Sequence, residues 1–587
     1  MFLFVVSFIT GFIIATLLMK TGSQYLLHLV SPPWKTKCSI HSWFLQQSEL
    51  SPKQRRNAYM PDRHKIQSNL ILAPGTMDSL QLRDGFEEDT NSTAHFFAIL
   101  LRVLRLFRLK DRIELYKIMK STPVLQYLPE IIEQKEQLKN QPYLTKTADW
   151  LCYQSDHRGP FKIGLILQSM ITRTNLRDLV MFGSNDETAY WASLSLRLKM
   201  DKPNAHIWEI IKVNEGWGRI QAIRLLSEPI NQEIRYWLIT EGYKNNILLS
   251  ETILDIWHLG APLETFNSQI NIQFEIFPSL LEIYHILLTQ TDPSQIAECD
   301  GFEELLLIIF REIKRVQHLA EFQHTFRKNL SAYNACRSIH TFFNETLMEF
   351  PPFYGLDFEL QDAKAILDTL KDILDSDSHG WSEVIDKELF KESIDDYVEA
   401  CGAAFELGMD IWPLHRLRLQ QNPSNPLLWS ALCSTDDHRR ASKCIDIATQ
   451  ILPLGEIATG PTKQLGIPPE SQSHYCLQII LNHLLNFPGS GHQLISTAMM
   501  SPLVLNRVLA LKVLSYWRVN QLDNLESYME ILNQASSHEV DPSVLKRIQN
   551  LINNRELEDG VEQIVNSEGN PRQYLIDERG IKYWEPL

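Results

Sequence analysis

From His95 onward, apolar residues recur at helical spacing almost without interruption. In FFAILLRVLRLFRLKDRIELYKIMK, the residues Ile99, Val103, Leu106 and Phe107 fall at i, i+4, i+7 and i+8, which predicts a helix with one buried stripe. Arg102, Arg105, Arg108, Lys110 and Arg112 crowd the other side. A basic amphipathic helix can lie on a membrane surface. A solvated face on a core-packing helix explains the same charges, and that reading is preferred.

The pattern then repeats as helix, turn, helix. TKTADWLCYQS opens with Thr145 or Thr147 as N-cap and ends before DHRGP, where Gly159 and Pro160 break it. Three later units each place an aromatic-rich apolar helix before a glycine corner and a second helix after it. Their glycines, 183, 216 and 242, are spaced by 33 and 26 residues, near the period of two-helix repeats. The fold class expected is all-α, a HEAT-like helical-repeat (solenoid) array. Trp191, Trp208, Trp217, Tyr236, Trp237 and Trp257 read as core knobs of such an array; on a concave face they would line an apolar groove. The tail NPRQYLIDERGIKYWEPL suggests a small C-terminal β-hairpin turning at Glu578-Arg579-Gly580.

VNEGWGRIQAIRLL contains a G-x-G, which raises the question of a dinucleotide loop. Such a loop follows a β-strand. Here Ile207, Ile210 and Ile211 precede it at helical spacing, Trp217 fills the gap between the glycines, and Gln221 stands at the third glycine position. Gly216 therefore reads as the left-handed residue ending a helix, with Asn214 and Glu215 at an exposed corner.

Five segments follow: a candidate transmembrane anchor or mis-called start at 1–20, an irregular polar linker at 21–92, a helical-repeat domain at 93–348, a second at 349–534, and a polar C-terminal segment at 535–587. The boundary is set by EFPPFYGLDF (349–358). Residues 1–19 are uncharged and just span a bilayer at 1.5 Å per residue. Lys20, Lys35 and Lys37 follow, which would keep the body cytoplasmic. Met60 and Met77 are alternative starts, so anchor and artefact both stand.

The 587 residues carry a formal charge of −15, which argues against a nucleic-acid partner for the whole chain. The eight cysteines include no C-x-x-C, so neither a zinc site nor a disulfide framework is indicated, and the metal expectation is none. Tyr116 and Lys120 form Y-x-x-x-K, a spacing that can activate a phenol but also arises on any helix. Ser490 and His492 in FPGSGHQL lack the G-x-S-x-G of a nucleophile elbow. Asp156-His157-Arg158 and Asp437-His438-Arg439 offer histidine beside carboxylate, yet both fall at helix corners where polar residues cap and solvate. His318 and His324 have no matching pair, and Asn91-Ser92-Thr93 is a formal sequon only. Catalytic and cofactor-binding residues are therefore not assignable from pattern.

The stretches TADWLCYQSDHRGPFKIGLILQSMI, LRDLVMFGSNDETAYWASLSL and GWGRIQAIRLL with EIRYWLITEGYKNNI resemble a bacterial helical-repeat family that carries the name limonene hydroxylase. The resemblance covers about residues 95 to 350. It implies an oxidoreductase hydroxylating limonene to carveol and perillyl alcohol, NAD(P)-linked oxidation of those alcohols, and a small hydrophobic substrate. No flavin, haem, iron or nicotinamide signature accompanies it in the residues. The residues alone favour a non-catalytic scaffold that binds a protein partner on its concave face.

Overall fold

The structure is a computed structural model. It describes Trp34 and residues 38–47, 60–62, 72–85, 90–347 and 360–555, with breaks at 270–272, 327–328, 348–359, 376–379, 392–393, 436, 466–470, 523–524 and 554, and then 574–576 and 582–584. Apart from one short strand pair near the C-terminus, the elements of the described chain are helices, so the fold is all-α. Residues 1–19 and the expected boundary at 349–358 lie outside the described residues. Among those described, no helix is long and apolar enough to cross a membrane. Tyr574–Ile576 pairs antiparallel with Lys582–Trp584, and the expected turn at 578–580 is outside the described residues.

Two compact units divide the chain, one of 1–67 with 73–270 and one of 68–72 with 271–587. The first holds α1 (Ile40–Gln47), α2 (Thr76–Asp84), α3 (Thr90–Leu106), α4 (Leu109–Ser121), α5 (Leu144–Gln154), α6 (Arg158–Ser169), α7 (Leu176–Phe182), α8 (Ala189–Lys199), α9 (Asn204–Val213), α10 (Trp217–Ile223), α11 (Gln232–Trp237) and α12 (Ser250–Gly260). Alternate helices pack on one another: α6 on α8, α8 on α10, α10 on α12, with α7 against α9. The span expected to be irregular, 21–92, thus contributes two helices and the first residues of α3.

Local chemistry sets the helix ends. The Asn175 and Asn231 side chains accept the N–H groups of Arg177 and Ile234 at the starts of α7 and α11. Gly159 and Pro160, expected to break a helix, sit in the first turn of α6, where a missing N–H costs nothing. Helix α5 starts at Leu144 rather than at a threonine cap, and Thr147 is buried. On α3 the buried residues are Phe96, Ile99, Leu100, Val103 and Leu104. Leu106 is 48% exposed because the helix stops there, and Phe107 turns the chain at φ +48°.

The corners correct the glycine reading. Gly216 does not end α9 in a left-handed conformation. It caps the start of α10 at φ −105° and ψ −145°, and Asn214 ends the preceding helix. The Asp186 carboxylate, from the previous corner, accepts the N–H groups of Gly216 and Gly218 at 3.0 and 2.8 Å. The G-x-G therefore does cradle an anion at a helix start, but the anion is the protein's own side chain. A Cβ on Gly218 would lie 2.5 Å from the Asp186 Cα, so only glycine admits this approach. Asn214 is buried, not exposed, and its amide donates to the carbonyls of Gly183 and Ile210. Arg219, also buried, donates to the carbonyls of Asn214, Glu241 and Lys244, and the Asn246 N–H to Glu215 O. Each corner is thus hydrogen-bonded to the next. Gly242 closes a π-type turn. Of the aromatic knobs, Trp191 and Trp257 are core, whereas Trp208, Trp217, Tyr236 and Trp237 are half-buried.

The second unit repeats the packing habit with α13 (Ile276–Gln290), α14 (Phe302–Val316), α15 (Leu330–Thr341), α16 (Leu360–Leu374), α17 (Trp381–Leu389), α18 (Ile394–Glu406), α19 (Trp412–Gln421), α20 (Pro426–Cys433), α21 (His438–Ile451), α22 (Ser473–Leu484), α23 (His492–Met499), α24 (Val504–Val519), α25 (Met529–His538) and α26 (Pro542–Ile552). Here α20 packs on α22, α22 on α24 and α24 on α26. Arg507 is fully buried; it holds Glu539 at 2.8 Å and donates to the carbonyls of Ser501 and Thr462.

Two outcomes follow. Gly218→Ala destabilises the first unit by about 1–3 kcal/mol through overpacking, whereas Gly455→Ala, with no atom within 4 Å of the added carbon, stays within about 0.5 kcal/mol; urea unfolding of both variants checks this. Burial raises the Asp186 carboxyl to about 6, against the backbone N–H groups that favour its ionised form. The folded state therefore holds the proton more tightly than the unfolded chain, and this group's contribution to stability falls as pH rises from about 4 through 6. Asp186→Asn removes that dependence. Its stability relative to the parent should improve across the same window by up to about 2–3 kcal/mol, measured by urea midpoints at each pH.

Candidate functional site: an aromatic, cationic cleft

A cluster of buried charge lies at the start of α6. Lys162 Nζ is 2.7 Å from Asp78 Oδ2 and 2.6 Å from Glu187 Oε1. Arg158 reaches Glu187 Oε2 at 2.8 Å and both oxygens of Asp62 at 3.0 Å. The Trp191 indole donates to Asp78 and the Gly75 N–H to Glu187. Three carboxylates face two cations, and the cations hold Glu187 down at about 2 despite its burial. His157 accepts the Gly159 N–H, and burial lowers its imidazole to about 4, so it is neutral near pH 7. The carboxylates already serve as acceptors to fixed donors and are buried, without the open approach that a general base needs. The cluster ties α2 and residues 60–62 to α6 and α8.

The remaining pattern-derived residues fall apart as chemistry. Tyr116 donates to Asp156 Oδ1 at 2.5 Å, and burial together with that carboxylate raises its phenol far above the ordinary range. A phenol used as a catalytic base needs the reverse, and Lys120 is exposed. The corner at Asp156 and His157 is buried rather than solvated. Asp437 caps α21 by accepting the N–H groups of Arg439 and Arg440. Ser490 gives its carbonyl to Tyr528, and His492 binds the carbonyl of Ser527. His318 and His324 are exposed.

A cleft of about 270 Å³ does collect unspent chemistry, between the α3–α4 turn and α5. Phe107, Arg112, Lys146, Asp149, Trp150, Tyr153 and Gln154 line it. Phe107 sits in the left-handed region at φ +48°, an uncommon conformation for a bulky residue. Its ring lies between two cations, Arg112 Cζ at 4.3 Å and Lys146 Nζ at 4.6 Å. Arg112 also stacks on Trp34 and Trp150, each at 5.3 Å. Burial lowers the Arg112 pKa, which is the electrostatic cost of a guanidinium set among rings. No carboxylate among the described residues pairs with Arg112. Its Nε and the Nε1 of the buried Trp150 are both shut off from solvent without a hydrogen-bond acceptor. Both N–H groups are covered, so a molecule entering the cleft would meet the lining side chains of Arg112 and Lys146 rather than these two donors. The sequence marked Arg112 only as one charge of a solvated face; Arg102, Arg105 and Arg108 are indeed exposed, and Arg112 is the one that turns inward.

No family model matches the chain, nor does any curated protein or solved structure.

Lys162→Met leaves Asp78 buried without a cation and Glu187 with Arg158 alone. The expected loss is about 3–5 kcal/mol in the unfolding of the first unit, read by urea titration near neutral pH. The loss should shrink as pH falls from about 4 toward 2, where Glu187 takes up its proton.

Proposed function

We propose that the protein is a non-catalytic helical-repeat scaffold whose first unit holds an acidic, aromatic-bearing segment of a partner protein in the Phe107–Arg112–Trp150 cleft. The stacking of alternate helices and the corner-to-corner hydrogen bonds support the repeat reading. The observation that carries the ligand class is Arg112, a guanidinium set among rings at the cleft with no carboxylate partner among the described residues. A carboxylate would pair with the Arg112 guanidinium, and its neighbouring ring would stack on Phe107 or Trp150. Lys146 adds a second positive charge at the rim.

The monoterpene oxidoreductase reading rests on resemblance. A limonene-sized hydrocarbon suits an enclosed apolar chamber, and this cleft is lined by two cations and a carboxylate. The scaffold reading fits the chemistry of the lining better.

A fluorescent peptide alternating Glu with Trp or Tyr serves as probe against the full chain. Its binding should weaken with added salt. Arg112→Met should weaken it at least about tenfold, roughly 1.4 kcal/mol, whereas Arg108→Met, an exposed neighbour, should change it little. Equal binding by the Arg112 variant would remove the cleft from the account. Turnover of limonene or perillyl alcohol by the purified protein with added NAD would remove the non-catalytic reading.

A further inference from the structure

The second unit gathers three metal-ligating side chains that the chain keeps far apart. Cys433 closes α20, Cys444 lies mid-way along α21, and His483 is in the last turn of α22. One ligand atom from each lies within 4.8 Å of the other two. Two sulfurs on a single zinc ion, at about 2.3 Å each, can stand no more than about 4.6 Å apart. Closure on a common ion therefore asks for small side-chain adjustments and no movement of a helix.

The surroundings suit a bound cation. The His483 Nε2 lies 2.8 Å from the carbonyl of Ala441, one turn before Cys444 on α21. With Nε2–H donating there, Nδ1 carries the lone pair, and a backbone carbonyl that fixes a ligating imidazole is the usual second layer of a metal site. Cys444 is buried, and its thiol donates to the carbonyls of Arg440 and Leu432 at 3.3 and 3.4 Å, contacts that metal binding replaces by a metal–thiolate bond. Cys433 and His483 are half-buried, so the cluster lies near the surface rather than deep in the core. Two sulfurs and one imidazole select soft or borderline ions over magnesium or calcium.

We propose that Cys433, Cys444 and His483 form a binding site for one thiophilic d10 cation, Zn(II) or Cu(I). Binding replaces two S–H bonds by two metal–thiolate bonds and releases two protons to solvent. No electrons are exchanged. The site is independent of the cleft in the first unit, and neither proposal needs the other.

The test uses the full chain, reduced with a phosphine and desalted without oxygen. Zn(II) and Cu(I) are titrated separately, each against a chromogenic chelator. One equivalent of at least one ion should bind, and the ion that binds identifies the site as zinc or copper(I). Cys433→Ser and His483→Ala should each weaken binding by more than the roughly 10–100-fold that loss of a second-shell partner causes. Cys38→Ser, in the other unit, should bind as the parent does. A variant of the buried Cys444 would test folding as much as binding, so the second readout is alkylation of the native parent: the bound ion should protect Cys433 from iodoacetamide. Failure of both ions to bind, unchanged affinity in both ligand variants, or a Cys433–Cys444 disulfide persisting in the phosphine-reduced protein would overturn the site.

Discussion

The Lys162 ammonium, buried between Asp78 and Glu187, is the constraint on which the first unit depends. A lysine taken out of water is tolerated only when its charge is met at short range, and here two carboxylates meet it while Arg158 shares one of them. Those carboxylates come from α2 and from the corner before α8, so one cation fixes the mutual position of three elements distant in sequence. Helix α5 packs closely along α6, which carries the lysine. The cleft is built on α5. Its aromatic wall thus inherits its position from an ion cluster that takes no part in binding.

The helices were legible because burial repeats along them. Ile207, Ile210 and Ile211 fall where the 3.6-residue period puts them, and all are buried. The corners were not, because their chemistry is long-range. Asn214 looks like a solvent-facing turn residue until the carbonyl of Gly183, 31 positions earlier, arrives to accept its amide. Gly216 and Gly218 look like helix punctuation until Asp186 is placed against them. A glycine tolerated for freedom of φ and a glycine demanded by a close neighbour read identically in one sequence; only the neighbour separates them. The same limit applies to Arg158, whose carboxylate partner Asp62 lies nearly a hundred positions earlier.

The cleft was legible in part. The basic stripe of α3 and α4 was plain, and the reading of it as a solvated face holds for most of its members. What the pattern could not show is that the helix stops at Leu106 and that Phe107 adopts positive φ, which changes the phase of everything after it. Arg112 then leaves the exposed face and lies among Trp34, Phe107 and Trp150. Cys433, Cys444 and His483 escaped for a related reason. A metal motif on one helix or hairpin has a fixed spacing, but ligands drawn from three packed helices have none.

The overall charge bears on what the cleft can accept. At −15 the molecule repels anions at long range. That repulsion fades beyond a screening length of about 8 Å at physiological salt, whereas the attraction of Arg112 and Lys146 acts at contact. A nucleic acid brings a phosphate at every step and would meet the repulsive field along its whole length. A peptide brings one or two carboxylates, which can be placed in the cleft while the rest of the segment stays uncharged. Under the proposed reading, the mismatch between a negative net charge and a cationic cleft would act as a filter, favouring a short acidic determinant over a polyanion.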